Sequence, residues 1–76
     1  MPSLIYLTAH ADIKRHAEGF TTEMIAQAVL LNHSTRRRNP GSSDWLIREG
    51  SLVVVYNWPH EGDPETALVV TVYRDR

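Results

Sequence analysis

The sequence predicts an α+β fold, with two N-terminal helices packed on a three- to four-stranded antiparallel sheet. Three observations carry that expectation. Residues 9–32 hold two capped segments of helical spacing, separated by Gly19. Residues 45–74 hold three runs rich in Val, Leu, Ile, Trp and Tyr, separated by turn formers. The chain has 76 residues, enough for one domain over residues 1–76 and no more.

Leu4-Ile5-Tyr6-Leu7 is a short apolar run, read as an edge strand or an extended arm. Thr8 is a suitable N-cap for a helix over residues 9–18. Ala9, Ile13, His16 and Ala17 form a weak apolar stripe on it, and His10, Lys14 and Glu18 form a row beside that stripe. Gly19 suits the left-handed residue that ends such a helix. Thr21 caps the second helix, with Glu23 in its first turn, where the helix dipole favours an acid. Phe20 and Ile25 occupy hydrophobic-staple positions. Ile25, Ala28, Val29 and Asn32 share its inward side, flanked by Met24 and Leu31. Residues 33–43 read as a loop, ending in Pro-Gly and serines. Strands follow at 45–48, 51–58 and 67–74, the first two joined by a turn at Glu49-Gly50. In the second strand Leu52, Val54, Tyr56 and Trp58 share one face, and Val53, Val55 and Asn57 the other. In the last, Leu68, Val70 and Val72 oppose Val69, Thr71 and Tyr73. Both strands are apolar on both faces, the pattern of central strands.

Without cysteine the chain has no disulfide, thiolate zinc site or cysteine nucleophile. No apolar run approaches the roughly 20 residues that span a bilayer. Met1–Thr8 has no basic region or small-residue cleavage site. A cytoplasmic protein without a membrane partner is therefore expected. A domain this small buries only about two-thirds of its unfolded surface, so a homodimer would be a natural source of further burial. His10 and His16 are six apart, and His33 and His60 lie in separate loops, so no metal site is expected. No glycine-rich phosphate loop or dinucleotide fingerprint is present, and no cofactor is expected.

Net charge is −1, which weighs against binding nucleic acid by bulk charge. The distribution is uneven. Residues 1–48 carry six Lys/Arg against four Asp/Glu, while residues 49–76 carry two against five. A locally basic face is therefore compatible with an acidic whole.

Metal-independent RNA cleavage needs a group to take the 2′-OH proton, a donor for the leaving 5′-oxygen, and cations for charge building on phosphorus. His10 suits proton transfer because imidazole titrates near neutrality. Lys14 lies one turn further along the helix, and Tyr73 and Arg74 close the last strand, so a sheet that joins the chain ends could gather all four. Arg15 and the Arg36-Arg37-Arg38 run are candidate phosphate contacts. The plainer readings are that His10 caps its helix, the arginine run is a solvated loop, and Trp45 and Tyr56 complete the core.

The stretch His10-Ala-Asp-Ile-Lys14-Arg15-His16-Ala-Glu18-Gly19-Phe20-Thr21, with the close Val69-Val70-Thr71-Val72-Tyr73, resembles a family of small bacterial domains of unknown function. Their pattern is His, three residues, Arg, three residues, Arg-Gly-Ile-Ser, and a final strand like Val-x-Thr-Val-Tyr. Such domains look related to the barnase–EndoU–colicin–RelE group of ribonuclease toxins. The likeness runs from about Thr8 to Tyr73. It implies a RelE-like fold, RNA as partner and substrate, and a cognate antitoxin or immunity protein. By position, His10 matches the family histidine, Lys14 stands for the first arginine, and Thr71 and Tyr73 match the terminal motif. Glu18 stands where a second arginine is usual. Two functional readings follow: an RNA-binding ribonuclease toxin, with His10, Lys14, Tyr73 and Arg74 catalytic and Arg15, Arg36, Arg37, Arg38 and Thr71 on the RNA; or a non-catalytic module that dimerises or holds a partner, such as an antitoxin or phage accessory protein.

Overall fold

The structure, a computed structural model, describes residues 1–75. Its elements are β1 Leu4–Leu7, α1 Ala9–Glu18, α2 Thr22–Asn32, a 3-10 turn His33–Thr35, β2 Arg37–Arg38, β3 Trp45–Glu49, β4 Leu52–Asn57 and β5 Thr66–Arg74. The strands form one sheet in the order β1-β5-β4-β3-β2. The α+β class holds, but the sheet has five strands and is mixed. Both helices follow β1 rather than opening the fold.

β1 runs parallel to β5, with Leu4 opposite Thr66 and Leu7 opposite Val69. A parallel neighbour needs a long crossover, and the intervening helices and hairpin supply it. The fifth strand lies inside the expected loop: Arg37 pairs with Leu46 and Arg38 with Trp45. The β3–β4 turn falls at Gly50-Ser51, one residue later than expected, because Glu49 pairs with Leu52. Gly50 takes φ 60, a left-handed conformation that hairpin turns favour and glycine adopts without strain.

Both helix caps form as their sequences dictate. Thr8 Oγ1 accepts from the Ala11 amide at 3.1 Å and donates to the Val70 carbonyl at 3.2 Å. The cap thus also ties α1 to β5. Thr21 Oγ1 accepts from the Met24 amide. Ile25, Ala28 and Val29 of α2 are fully buried, as their spacing requires. For α1 the expected stripe is wrong. Ala9, Ile13, His16 and Ala17 are exposed, and the buried residue is Ala11. The inward side of α1 is instead lined by half-buried polar groups, including Asp12, Arg15 and Glu18, whose ion pairs let them approach the protein.

A β-bulge decides which faces of β5 point where. Val55 pairs with Thr71 but Tyr56 pairs with Val69, so Val70 is an extra residue in β5. Strict alternation would set Val69 on the face of Thr71 and Tyr73. The bulge instead places Val69 with Val72, and both are fully buried in the core with Tyr56, Val54, Ile25 and Val29. Thr71 and Tyr73 therefore share the opposite face with their cross-strand partners Val55 and Val53. Helices reach that face only from its sides: α1 through His10 at the β5 side, and the end of α2 through Asn32 at the β3 side, among the described residues. α2 packs on β3 and β4, and α1 runs beside β5 where β1 has ended.

Candidate nucleic-acid interface

α1 brings His10 to β5. His10 Nε2 lies 3.1 Å from Thr71 Oγ1, joining residues 61 apart in sequence. The Thr8 tie to Val70 fixes the start of α1 beside the bulge, and the His10 side chain, two residues on, reaches Thr71. The imidazole is exposed, and its Nδ1 has no partner among the described residues. Tyr73 follows two residues on, about 6.6 Å along the strand by its rise of roughly 3.3 Å per residue, on the same face and 39% exposed. Lys14 is half-buried one turn along α1 and has no polar partner among the described residues.

The remaining basic residues divide sharply. Arg74 lies on the helix side of β5, because it follows Tyr73 in the alternation. It donates to the Glu18 carbonyl at 2.7 Å and to Ser51 Oγ at 3.1 Å, and stacks on Phe20. It thus stands on the other face from Tyr73. Arg15 donates to Asp12 at 2.7 Å and toward the Phe20 carbonyl, which closes α1 on itself. The arginine run is separated by its own alternation. Arg36 and Arg38 turn to the tryptophans, while Arg37 shares the open face with Leu46. Arg37 is exposed and has no polar partner among the described residues.

Arg36 anchors a compact cluster. Its guanidinium lies between two indoles, 4.3 Å from the Trp45 ring centre and 4.6 Å from that of Trp58, and it donates to the His33 carbonyl. Arg38 stacks on Trp45 at 3.8 Å and donates to the Ser43 carbonyl. Trp45 Nε1 donates to the Trp58 carbonyl and Trp58 Nε1 to the Pro64 carbonyl, both at 2.9 Å. Beneath them His33 is buried edge-on against Trp58, and its Nδ1 lies 2.8 Å from the Tyr56 hydroxyl. Burial, reinforced by the Arg36 charge, lowers the His33 pKa and keeps the imidazole neutral. Burial pushes the Tyr56 phenol up to about 12, against the opposing pull of Arg36. These contacts fasten the 33–44 segment to the end of β4. Arg36 and Arg38 are thus both stacked on tryptophans, Arg36 half-buried and Arg38 exposed.

Sequence reasoning missed two features of this surface. One is the His33–Tyr56 pair, which joins a loop residue to a strand residue with no local signature. The other is Arg48, which shares the open face with Leu46 and Val53 through the β3–β4 register. Its signal was present: Arg48 stands two residues after Leu46 in an alternating strand. Among the described residues no cluster of His, Asp and Glu is arranged to hold a metal ion, and no helix is long and apolar enough to cross a membrane. Comparison with protein-family models, curated proteins and solved structures finds no match to this chain.

Proposed function

We propose that this protein is a small RelE-like RNA-binding domain that cleaves RNA without a metal, using His10 as the proton-transfer group. The observation that carries the reading is the His10–Thr71 contact at 3.1 Å beside exposed Tyr73. With Nε2–H donating to Thr71 Oγ1, the basic lone pair of the neutral ring is at Nδ1. Nδ1 takes the proton from a ribose 2′-OH, and the 2′-oxygen attacks phosphorus. The bond to the 5′-oxygen breaks, and the Tyr73 phenol supplies the proton to that oxygen. The products are a 2′,3′-cyclic phosphate and a free 5′-hydroxyl end; the His10 imidazolium then gives its proton to solvent and Tyr73 takes one back from solvent, so both groups return to their starting states. Lys14 offsets the charge that gathers on the phosphoryl oxygens. Arg74 serves in this scheme by holding α1 against β5, not by touching phosphate.

Incubation of labelled single-stranded RNA with purified protein tests the proposal. The wild type is expected to yield cyclic-phosphate ends, and His10→Ala to lose at least about 100-fold in rate. Tyr73→Phe is expected to lose less and to change the pH profile. Equal rates for wild type and His10→Ala, or no cleavage by either, would overturn it.

One observation favours the alternative of a partner-binding module. Leu4 and Tyr6 stand 49% and 55% exposed on β1, whose outer side has no partner strand among the described residues. Such an edge is a template for pairing with another chain. Sedimentation separates the two readings: a tight dimer that dissociates in Leu4→Lys, with no RNA binding in either variant, favours the module.

A further inference from the structure

We infer that Arg37 and Arg48 form a second phosphate site on the open face of the sheet, so that the RNA lies across the strands from His10 to the β3 edge. This rests on the RNA reading above and extends it to a part of the surface that reading leaves unused.

The register places the site. Arg37 pairs with Leu46, Leu46 with Val55, Val55 with Thr71, and Thr71 meets His10. Cross-strand partners point to the same face, so these side chains form one row across four strands. Arg48 pairs with Val53, and Val53 with Tyr73, which forms a second row beside the first. Each row has an apolar middle, a basic end at β3 or β2, and a proton-transfer residue at the α1 end. Val53 and Val55 in the middle are almost fully buried, so the floor between the two ends is closed and hydrocarbon.

At the basic end is a cleft of about 380 Å³, lined by Asn32, Thr35, Arg37, Leu46 and Arg48. Its donors can be assigned. Asn32 Nδ2 donates to the Ala28 carbonyl and to Glu49, and Thr35 Oγ1 donates to the Asn32 carbonyl. Those walls have spent their protons. The guanidinium of Arg37 is unpaired among the described residues, and Arg48, ion-paired with Asp75, keeps its side chain 60% exposed. Glu49 faces the other side of β3 and is held by Asn32. Two guanidiniums thus border one small cleft, the setting in which a phosphodiester is held by charge-assisted, bidentate hydrogen bonds.

Three inter-strand spacings of about 4.8 Å put Arg37 roughly 14 Å from Thr71. At a stacked rise of about 3.4 Å per phosphate that is a span of about four nucleotides, and fewer if the strand is extended. A single strand fits this track, with Tyr73 available to stack a base. A dinucleotide reaches only one end.

Binding of fluorescent 2′-O-methyl oligouridylates, which cannot be cleaved, tests the site. Probes of two, four and six nucleotides are titrated against wild type, Arg37→Gln, Arg37→Gln/Arg48→Gln and His10→Ala, with thermal unfolding to confirm folding. Wild type is expected to bind the tetranucleotide at least tenfold more tightly than the dinucleotide. The double variant is expected to lose that gain while keeping dinucleotide affinity, and its salt dependence to fall by about 0.7 per lost contact. Arg37→Gln alone, which breaks no ion pair within the protein, is expected to lose part of the gain. Equal tetranucleotide binding by wild type and both arginine variants overturns the second site, and leaves the His10 reading intact if His10→Ala is impaired. Absence of binding by wild type to every probe overturns both.

Discussion

Arg36 is the residue on which the 33–44 segment depends most. A guanidinium held between two indoles and removed from water contributes about 2 kcal/mol. Arg36→Ala is therefore expected to lower unfolding free energy by about 2 kcal/mol in urea titration. Arg36→Lys should recover little of it, because an ammonium is not planar and cannot stack on both rings. Tyr56→Phe removes the partner of His33 Nδ1 and should cost about 1–3 kcal/mol, the penalty of an unsatisfied buried group. His33 also sets a pH dependence. Its folded-state pKa lies below the unfolded value of 6.5, so the folded protein binds fewer protons in that window. Its contribution to stability is complete above pH 6.5 and is lost as pH falls through the lowered folded-state value. Thermal unfolding across pH 4–8 should show this loss, and a His33→Gln variant should show a flatter curve. None of this could be read from residues 33–58 alone, since Arg36, Trp45 and Trp58 meet only through tertiary folding.

At the scale of elements, Thr8 and Val70 decide whether the candidate site forms. Thr8→Ala removes a helix cap, a loss of about 1 kcal/mol, and also cuts the bond to the Val70 carbonyl. The Thr8 amide still donates to the Val69 carbonyl, so α1 stays on β5 but His10 is held less firmly beside Thr71. RNA cleavage by Thr8→Ala is expected to drop more than its stability loss accounts for, read as activity at a temperature where both variants are fully folded. Deleting Val70 would remove the bulge and make Val69 and Thr71 successive residues of a regular strand, with their faces unchanged. That variant is expected to keep a cooperative unfolding transition in urea titration and to lose the Val70 carbonyl to which Thr8 Oγ1 donates. The caps at Thr8 and Thr21, the glycine stop at Gly19 and the apolar side of α2 all follow from short-range chemistry and were readable in advance. The bulge was not, because an extra valine among valines leaves no mark in composition. The inward side of α1 was misread for a related reason: Asp12, Arg15 and Glu18 lie against the protein through ion pairs that hydrophobic spacing does not report.

For the whole molecule, the mixed sheet joins chain ends that the sequence leaves far apart. The expectation that His10, Thr71 and Tyr73 meet rested on that closure and on a family resemblance. Arg74 was grouped with them because it is adjacent in sequence, whereas alternation sends neighbours to opposite faces. With a net charge of −1, the RNA binding proposed above has to rest on local rather than bulk attraction. Affinity should fall with salt along a shallow slope, about −2 to −3 for three or four single-strand phosphate contacts, as checked by anisotropy between 50 and 300 mM salt.

The parallel pairing of β1 with β5 also governs when this protein can act during its own synthesis. The first strand has no neighbour until residues 66–69 have been made, and Thr71 follows them. A ribosome-tethered chain that stops before residue 66 holds both helices but has neither an assembled sheet nor a hydroxyl for the imidazole to meet. If the protein cleaves RNA, the transcript being translated is exposed to a competent catalyst only after the last strand has left the exit tunnel.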